Sequence, residues 1–429
     1  MPRYRLAALF ALIFTAASVA TPAAQQLPVR EMYPQLPRNP YCLRAACGYG
    51  RDGIVEPYTG GGLSGSSARA YAESGDQLFE SSRATLLSWV SPREMAGMPQ
   101  NANDIWGYVS PRGREYAIVG LLTGTAFVEV TDPGNPKVVG FIRGEASDWR
   151  DMAVYDRFAY SVNEAGGGVQ IIDLRRIDHG TVRLVGNFTK AGLWTAHNIY
   201  VNPDSGYAYL LGSNVARGGL VALNLDNPRV PALEPVAWDT AYVHDVQVVT
   251  YKRGRNKGRE IAFAFTGPLG LHIIDVTDKA APVTMSHLRY TNATYGHSGA
   301  LSPDGRFLYV NDELDERFSD AVSEMTTYVV RVGDLSNPVL MKKIGWGLAA
   351  IDHNSMIQND RIYMSGYTGG LRIIDVRRPK APRARGFFDT HPETDAGVFR
   401  GAWGVFAGFP SGNVIVSDIA RGLFVIRPE

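Results

Sequence analysis

The chain has 429 residues, 45% of them hydrophobic and 20% charged, enough apolar material for a large core and too little charge for a disordered polymer. Lys and Arg number 43 against 42 Asp and Glu, a near-balance that leaves no electrostatic argument for a nucleic-acid or anionic-membrane binder. Gly at 46 and Tyr at 21 point instead to many tight turns and strands.

Residues 1–24 place Arg3 and Arg5 ahead of an apolar run at 6–20, followed by small residues at Ala20 and Ala23-Ala24. This is the layout of a cleaved secretory signal. The run falls short of the roughly 20 residues that span a bilayer, and no other segment is long and apolar enough, so no transmembrane anchor is expected in the mature form. The first cysteine, Cys42, lies far from the cut, which removes lipoprotein anchoring. A soluble secreted or periplasmic protein is expected. Residues 25–82 then form an N-terminal extension in which Cys42 and Cys47 are expected to pair as a local disulfide in an oxidising compartment. No histidine lies close enough to complete a structural zinc site there.

From residue 83 to 429 one pattern recurs with a period near about 50 residues. A Gly opens a short apolar strand, often closed by Ile-Ile-Asp: Gly124-Thr-Ala-Phe-Val-Glu129, Gly168-Val-Gln-Ile-Ile-Asp173, Gly219-Leu-Val-Ala-Leu-Asn224, Gly270-Leu-His-Ile-Ile-Asp275, Gly370-Leu-Arg-Ile-Ile-Asp375 and Gly422-Leu-Phe-Val-Ile426. Thr326-Thr-Tyr-Val-Val-Arg331 is a degenerate copy. A Pro turn and a further apolar run follow most copies, and another strand precedes each, so a unit holds four strands. Such units are blades, and the sequence predicts an all-β, seven-bladed β-propeller. The last unit stops after its third strand, while Ala84-Thr-Leu-Leu-Ser-Trp-Val90 precedes the first unit without a use. The N-terminal segment is therefore expected to complete the final blade and close the ring.

Aligning the innermost strands on Tyr108, Val154, Val201, Val248, Leu301, Ile357 and Val405 places Asp104, Arg150, His197, His244, His297, His353 and Gly401 at one register. The next position carries Ile105, Asp151, Asn198, Asp245, Ser298, Asn354 and Ala402. Imidazole is the commonest ligand for first-row transition metals. Four successive blades presenting it make His197, His244, His297 and His353 the candidate metal ligands. Asp104, Arg150, Asp151, Asn198, Asp245 and Asn354 are the candidate ligand-binding residues at the channel mouth. The plainer reading is that the histidines cap the blade ends by hydrogen bonding. Arg150 in the ring argues against a cation unless it pairs with Asp104 or Asp151.

Other signals are weaker. Asn311-Asp-Glu-Leu-Asp-Glu316 would suit a hard cation such as Ca²⁺, but it lacks EF-hand spacing and reads rather as a solvated acidic loop. Glu164 falls at the corresponding place in blade 2. Tyr251-Lys-Arg-Gly-Arg-Asn-Lys-Gly-Arg259 reads as a solvated basic turn. Trp106 and Trp403 share a repeat position and are expected to pack between the first and last blades. No nucleophile elbow, phosphate loop or dinucleotide fingerprint occurs in a strand-then-helix setting.

Ala102-Asn-Asp-Ile-Trp-Gly107, Trp149-Arg-Asp151, His197-Asn198, His244-Asp-Val-Gln247, Asn311-Asp-Glu-Leu-Asp-Glu316, Ile351-Asp-His-Asn354 and Gly401-Ala-Trp403 together resemble the choice-of-anchor B family, and the Gly-Leu-x-Ile-Ile-Asp strands are similar to its LVIVD repeats. The resemblance implies an exported bacterial propeller with no settled activity. It departs from that family's pattern at Ser298, where relatives tend to carry Gln, and in having no sorting tail after Arg427, which implies release into periplasm or medium. The expected function is a binding or interaction module for a protein or a surface glycan, with a ligand or metal site at the central channel that holds a transition-metal ion or Ca²⁺. The alternative is a metal-dependent enzyme using the channel histidines, with Asp151 or Asp245 as acid-base groups.

Overall fold

The structure, a computed structural model, describes residues 55–68 and 78–429. The signal-like segment, Cys42 and Cys47 lie outside the described residues. Seven antiparallel sheets follow one another along the chain. Blade 1 runs through Ala102–Val109, Glu115–Leu121, Gly124–Glu129 and Lys137–Arg143 from its inner to its outer strand. Blades 2 to 7 repeat this order, their inner strands beginning at Arg150, Asn198, Asp245, Gly296, Ser355 and Ala402.

The second strands are buried on both faces, as in Glu115–Leu121, Phe158–Asn163 and Glu260–Phe265, which is why they read as continuous apolar runs. Each hydrophobic cluster joins two neighbouring blades. Val162 and Val169 of blade 2 pack on Leu210 and Val221 of blade 3, and the series continues to Ile415 and Val425 of blade 7, which meet Val119 and Ala126 of blade 1. The apolar layers therefore run round a closed ring, and the seven-bladed propeller expected from the repeats is the fold.

The repeated Gly has a steric cause. Gly270 and Gly370 open their strands at φ of 82° and 64°. A Cβ there would stand 2.6 Å from the Leu288 carbonyl oxygen and 2.4 Å from that of Phe388, both on the fourth strand, so only Gly lets that strand approach. The closing Asp has a cause too. Asp173, Asp275 and Asp375 accept the amides of Arg175, Thr277 and Arg377 two residues on, at 2.9 to 3.0 Å, and so turn the chain out of the third strand.

Ala84–Val90 pairs with Gly422–Pro428, with Leu86 opposite Ile426 and Val90 opposite Leu423. It also reproduces the register shift that genuine fourth strands make against third strands, between Leu86 and Ser88 here and between Phe127 and Val128 in blade 1. The chain closes its own ring as expected. Ser91 and Glu94 then cap the short helix Pro92–Ala96 reciprocally, which turns the chain from the outer edge of blade 7 toward the inner strand of blade 1. Two features were not anticipated. Ser81–Ser82 adds a fifth strand to blade 6, and the outer strand of blade 3 is only Ala232–Leu233.

Trp89 anchors the closure. It is 3% exposed, lies stacked on Phe424 with ring centroids 5.6 Å apart, and donates its indole N–H to the Arg421 carbonyl at 2.6 Å. Truncating a buried aromatic of this kind costs about 3–5 kcal/mol. Trp89→Ala is expected to lower the urea midpoint accordingly, and an unchanged midpoint would show that the closing strand does not hold the ring.

Candidate functional site

The inner strands run along the channel, and the starts of blades 3 to 6 bring four imidazoles into one arc. Ring centroids are 4.3 Å apart for His197 and His244, 4.1 Å for His244 and His297, and 4.3 Å for His297 and His353. All four are buried, and with Asp104, Arg150, Asp151, Asn198 and Asn354 they line one opening, flanked by Trp149 and Trp403.

Each ring is held by the blade structure. His244 donates Nδ1–H to the carbonyl of His297 at 3.2 Å, and His353 donates Nδ1–H to that of Trp403 at 2.5 Å. Because a carbonyl only accepts, both rings carry the proton on Nδ1 and leave Nε2 as a lone-pair donor. His197 Nδ1 meets Glu164 at 2.7 Å. Burial, reinforced by the neighbouring imidazoles, holds His244 and His297 well below the ordinary histidine range, and burial pushes His353 down to about 3. These three are neutral at physiological pH.

Two register assignments need correction. Ser365 donates its hydroxyl to the Trp403 carbonyl at 2.7 Å, just as Asn311 donates to the His353 carbonyl at 2.7 Å one blade earlier, so the seventh ring position is Trp403 and not Gly401. Blades 5 and 7 carry the same bulge, between Gly296 and Ser298 and between Ala402 and Gly404, so the residue that matches Leu301 is Ala407 and not Val405, and Gly404, not Ala402, takes the following position. Trp403 therefore sits against His353, with centroids 4.9 Å apart, while Trp106 packs on Phe406 at 5.4 Å. The two tryptophans do not share a packing role.

Arg150 lies in the ring as a cation, burial lowering its pKa only to about 10. Its Nε and Nη2 donate to the carbonyls of Leu121 and Glu145 at 3.1 and 2.5 Å. Among the described residues it forms no ion pair with Asp104 or Asp151, so the objection it raised to a bound cation stands.

The acidic run after the second strand of blade 5 is not a solvated loop. Asp312, Glu313 and Asp315 are completely buried, as is Asp352 from the next blade. Asp312 takes the amides of Thr294 and Tyr295 and the hydroxyl of Tyr290, and Asp315 takes the hydroxyl of Tyr328 at 2.5 Å. Burial lifts Asp312 to about 8 and Asp315 to about 6.

Glu313 is the residue that the repeat alignment did not single out. Its carboxylate accepts the Tyr367 hydroxyl at 2.6 Å and faces His297 Nε2 and His353 Nε2 at 3.7 Å each. Among the described residues, His297, Glu313 and His353 are the set whose donor atoms all lie within 4.8 Å of one another. Burial lifts the Glu313 carboxyl to about 8. The signal that could have found it was Glu164, which stands at the same place in blade 2 and holds His197.

Behind the ring, the remaining predicted residues line a second stretch of channel. Asp104, Asp151, Asn198, Asp245 and Asn354 meet there with Ile105, Trp106, Tyr200 and Met356. Burial lifts Asp104 to about 6 and Asp245 to about 7, and holds Asp151 well above its ordinary value, with the other two carboxylates adding to it.

One of the weaker candidates resolves into scaffold, and so does a histidine pair outside the channel. In the basic turn, Lys252, Arg255 and Arg259 pair with Asp204, Asp334 and Asp275 at 2.9, 3.1 and 2.5 Å. His272 stacks on His287 with centroids 4.1 Å apart and lies 2.9 Å from the Thr266 hydroxyl through Nδ1.

No protein-family model matches the chain, and no curated protein matches it. Solved structures do. A protein from Lactobacillus plantarum aligns with a TM-score of 0.51 at 13% identity over 68% of this chain and 84% of its own. Sqt1 of Saccharomyces cerevisiae aligns with a TM-score of 0.51 at 9% identity over 77% and 96%. The Cps50 (Swd1) β-propeller domain of Myceliophteria thermophila aligns with a TM-score of 0.51 at 12% identity over 77% and 98%. At these identities the likeness shows the propeller fold and nothing about activity.

Burial, with His287 beside it, lowers the His272 pKa to about 4. The unfolded chain takes that proton near pH 6.5, so stability is lost as pH falls from about 6.5 to about 4 and no further below. His272→Gln is expected to flatten the acid slope of unfolding free energy in that window by up to about 1.4 kcal/mol per pH unit, measured by urea titration at stepped pH. An unchanged slope would place the titration elsewhere.

Proposed function

We propose that this protein is an exported propeller that works as a binding module, holding a divalent first-row transition-metal ion at its channel mouth on His297, Glu313 and His353. The observation that carries the reading is the Glu313–His353 contact. His353 spends its only proton on the Trp403 carbonyl, so its Nε2 lone pair confronts a carboxylate oxygen 3.7 Å away with both residues buried. Two electron-rich atoms in that position need a cation or a proton between them. Two imidazoles and a carboxylate suit Zn²⁺, Fe²⁺ or Mn²⁺, and donor atoms on a tetrahedral ion with bonds of about 2.1 Å stand about 3.4 Å apart, close to the separation found.

Three protein donors leave coordination positions open, and the opening beside Trp149 and Trp403 is where a ligand would reach them. The propeller fold supports a binding role, the signal-like residues 1–24 support export, and so do the motifs resembling the choice-of-anchor B family. A metal-dependent enzyme is the second reading, favoured by Asp151, a carboxyl in the same opening that burial raises well above its ordinary value, the direction a proton donor needs.

Chelator-stripped protein reloaded with Zn²⁺, Fe²⁺ or Mn²⁺ is expected to retain about one ion per chain by mass spectrometry. His297→Ala and Glu313→Gln should each weaken that binding on the order of 100-fold, while His272→Gln leaves it unchanged. If none of the three ions stays stoichiometrically, or if both channel variants keep it, the metal reading fails.

A further inference from the structure

The channel behind the histidine ring carries three acidic groups, whose charge no positive side chain in its described lining answers. That lining includes Asp104, Asp151 and Asp245, from blades 1, 2 and 4, and among the described residues no Lys, Arg or His. Arg150, next to Asp151 in the sequence, donates Nε and Nη2 to the Leu121 and Glu145 carbonyls. The carboxyl groups meet neutral donors. Asp104 takes the Ile105 amide and the Asn354 side chain, and Asp245 takes the Val246 amide at 2.7 Å. Asp151 is 8% exposed, accepts the Ile199 amide through Oδ2 at 2.7 Å and the Met152 amide as well, and lines both stretches of the channel.

The shape of the space says which kind of cation answers this charge. A cavity of about 160 Å³, open to solvent, lies between these groups, room for a small organic ion and not for a drug-sized ligand. The three carboxylates do not gather round one point, since among the described residues only His297, Glu313 and His353 converge as a metal-sized set. Between them the wall is apolar and aromatic, with Trp106, Tyr200 and Met356. A bare metal ion would satisfy the charge and leave that wall wet. An ammonium group on a carbon body satisfies both, because its charge pairs with carboxylates and aromatic faces while its methylenes cover the apolar wall.

We infer that the channel behind the ring is a binding site for an organic ammonium ion, a protonated amine or quaternary ammonium with an aliphatic body. The site is independent of the metal at the mouth.

The test is calorimetric titration of the chelator-stripped full chain with choline, tetramethylammonium and spermidine, alongside 3,3-dimethyl-1-butanol, the uncharged match to choline. At least one ammonium ion is expected to bind once per chain, with choline at least about tenfold tighter than the neutral alcohol. Asp245→Asn and Asp151→Asn should each weaken binding of the tightest ammonium ion by about tenfold or more, and Trp106→Leu should weaken it too. Glu313→Gln, which removes the proposed metal, should leave it unchanged, so the two readings fail separately. The inference is overturned if none of the three ions binds below about 10 mM, if the neutral alcohol binds as well as choline, or if Asp245→Asn has no effect. Should Asp151→Asn fail to fold, the comparison of choline with the alcohol on the unmodified chain decides the matter.

Discussion

Everything at the channel depends on one antiparallel ladder, the pairing of Ala84–Val90 with Gly422–Pro428. Blades are wedges that bury their faces only against neighbours, so an open arc would leave blades 7 and 1 each with a bare apolar face. The ladder joins the earliest strand of the propeller to the last and fixes the ring at seven sheets. With the ring fixed, His197, His244, His297 and His353, each at or beside the start of an inner strand and up to 156 positions apart in numbering, come to surround a common hole. Sequence distance becomes irrelevant once the circle is shut.

The closed ring also sets the electrostatics of the hole. Walls of packed strands exclude most water, so charged forms are disfavoured throughout. The imidazoles of His244, His297 and His353 respond by staying neutral, and the carboxyls of Asp104, Asp151, Asp245 and Glu313 respond by holding protons to unusually high pH. Both responses have one physical cause and leave the channel supplied with lone pairs and acidic groups but short of positive charge. Arg150 is the exception, a cation held by the carbonyls of Leu121 and Glu145.

Much of the fold was legible in the sequence because its signals are local. The Gly that admits the fourth strand and the Asp that turns the chain recur at fixed offsets, since every blade solves the same steric problem. The use of residues 84–90 was legible by subtraction, as the last unit lacked an outer strand. The site was legible only where blades keep one register. Trp403 takes the ring position in place of Gly401 because Ala407, and not Val405, matches Leu301, and alternating apolar residues on one strand do not mark which of them is the anchor. The burial of Asp312, Glu313 and Asp315 was illegible for a different reason. Their composition is that of a solvated loop, and what buries them are partners distant in sequence, such as Tyr367 on Glu313. Ser81–Ser82, too short to carry a periodicity, escaped notice likewise.

The closing ladder has a topological consequence. Ala84 lies opposite Pro428, and the Glu429 amide donates to the Arg83 carbonyl at 3.0 Å, so entry and exit of the propeller sit side by side on the outer edge of blade 7, remote from the hole. A circular permutant that splices those ends with a short turn and opens the chain between two other blades would keep the same sheets and the same hole. The covalent order of the blades is therefore incidental to the site, and only their cyclic order matters.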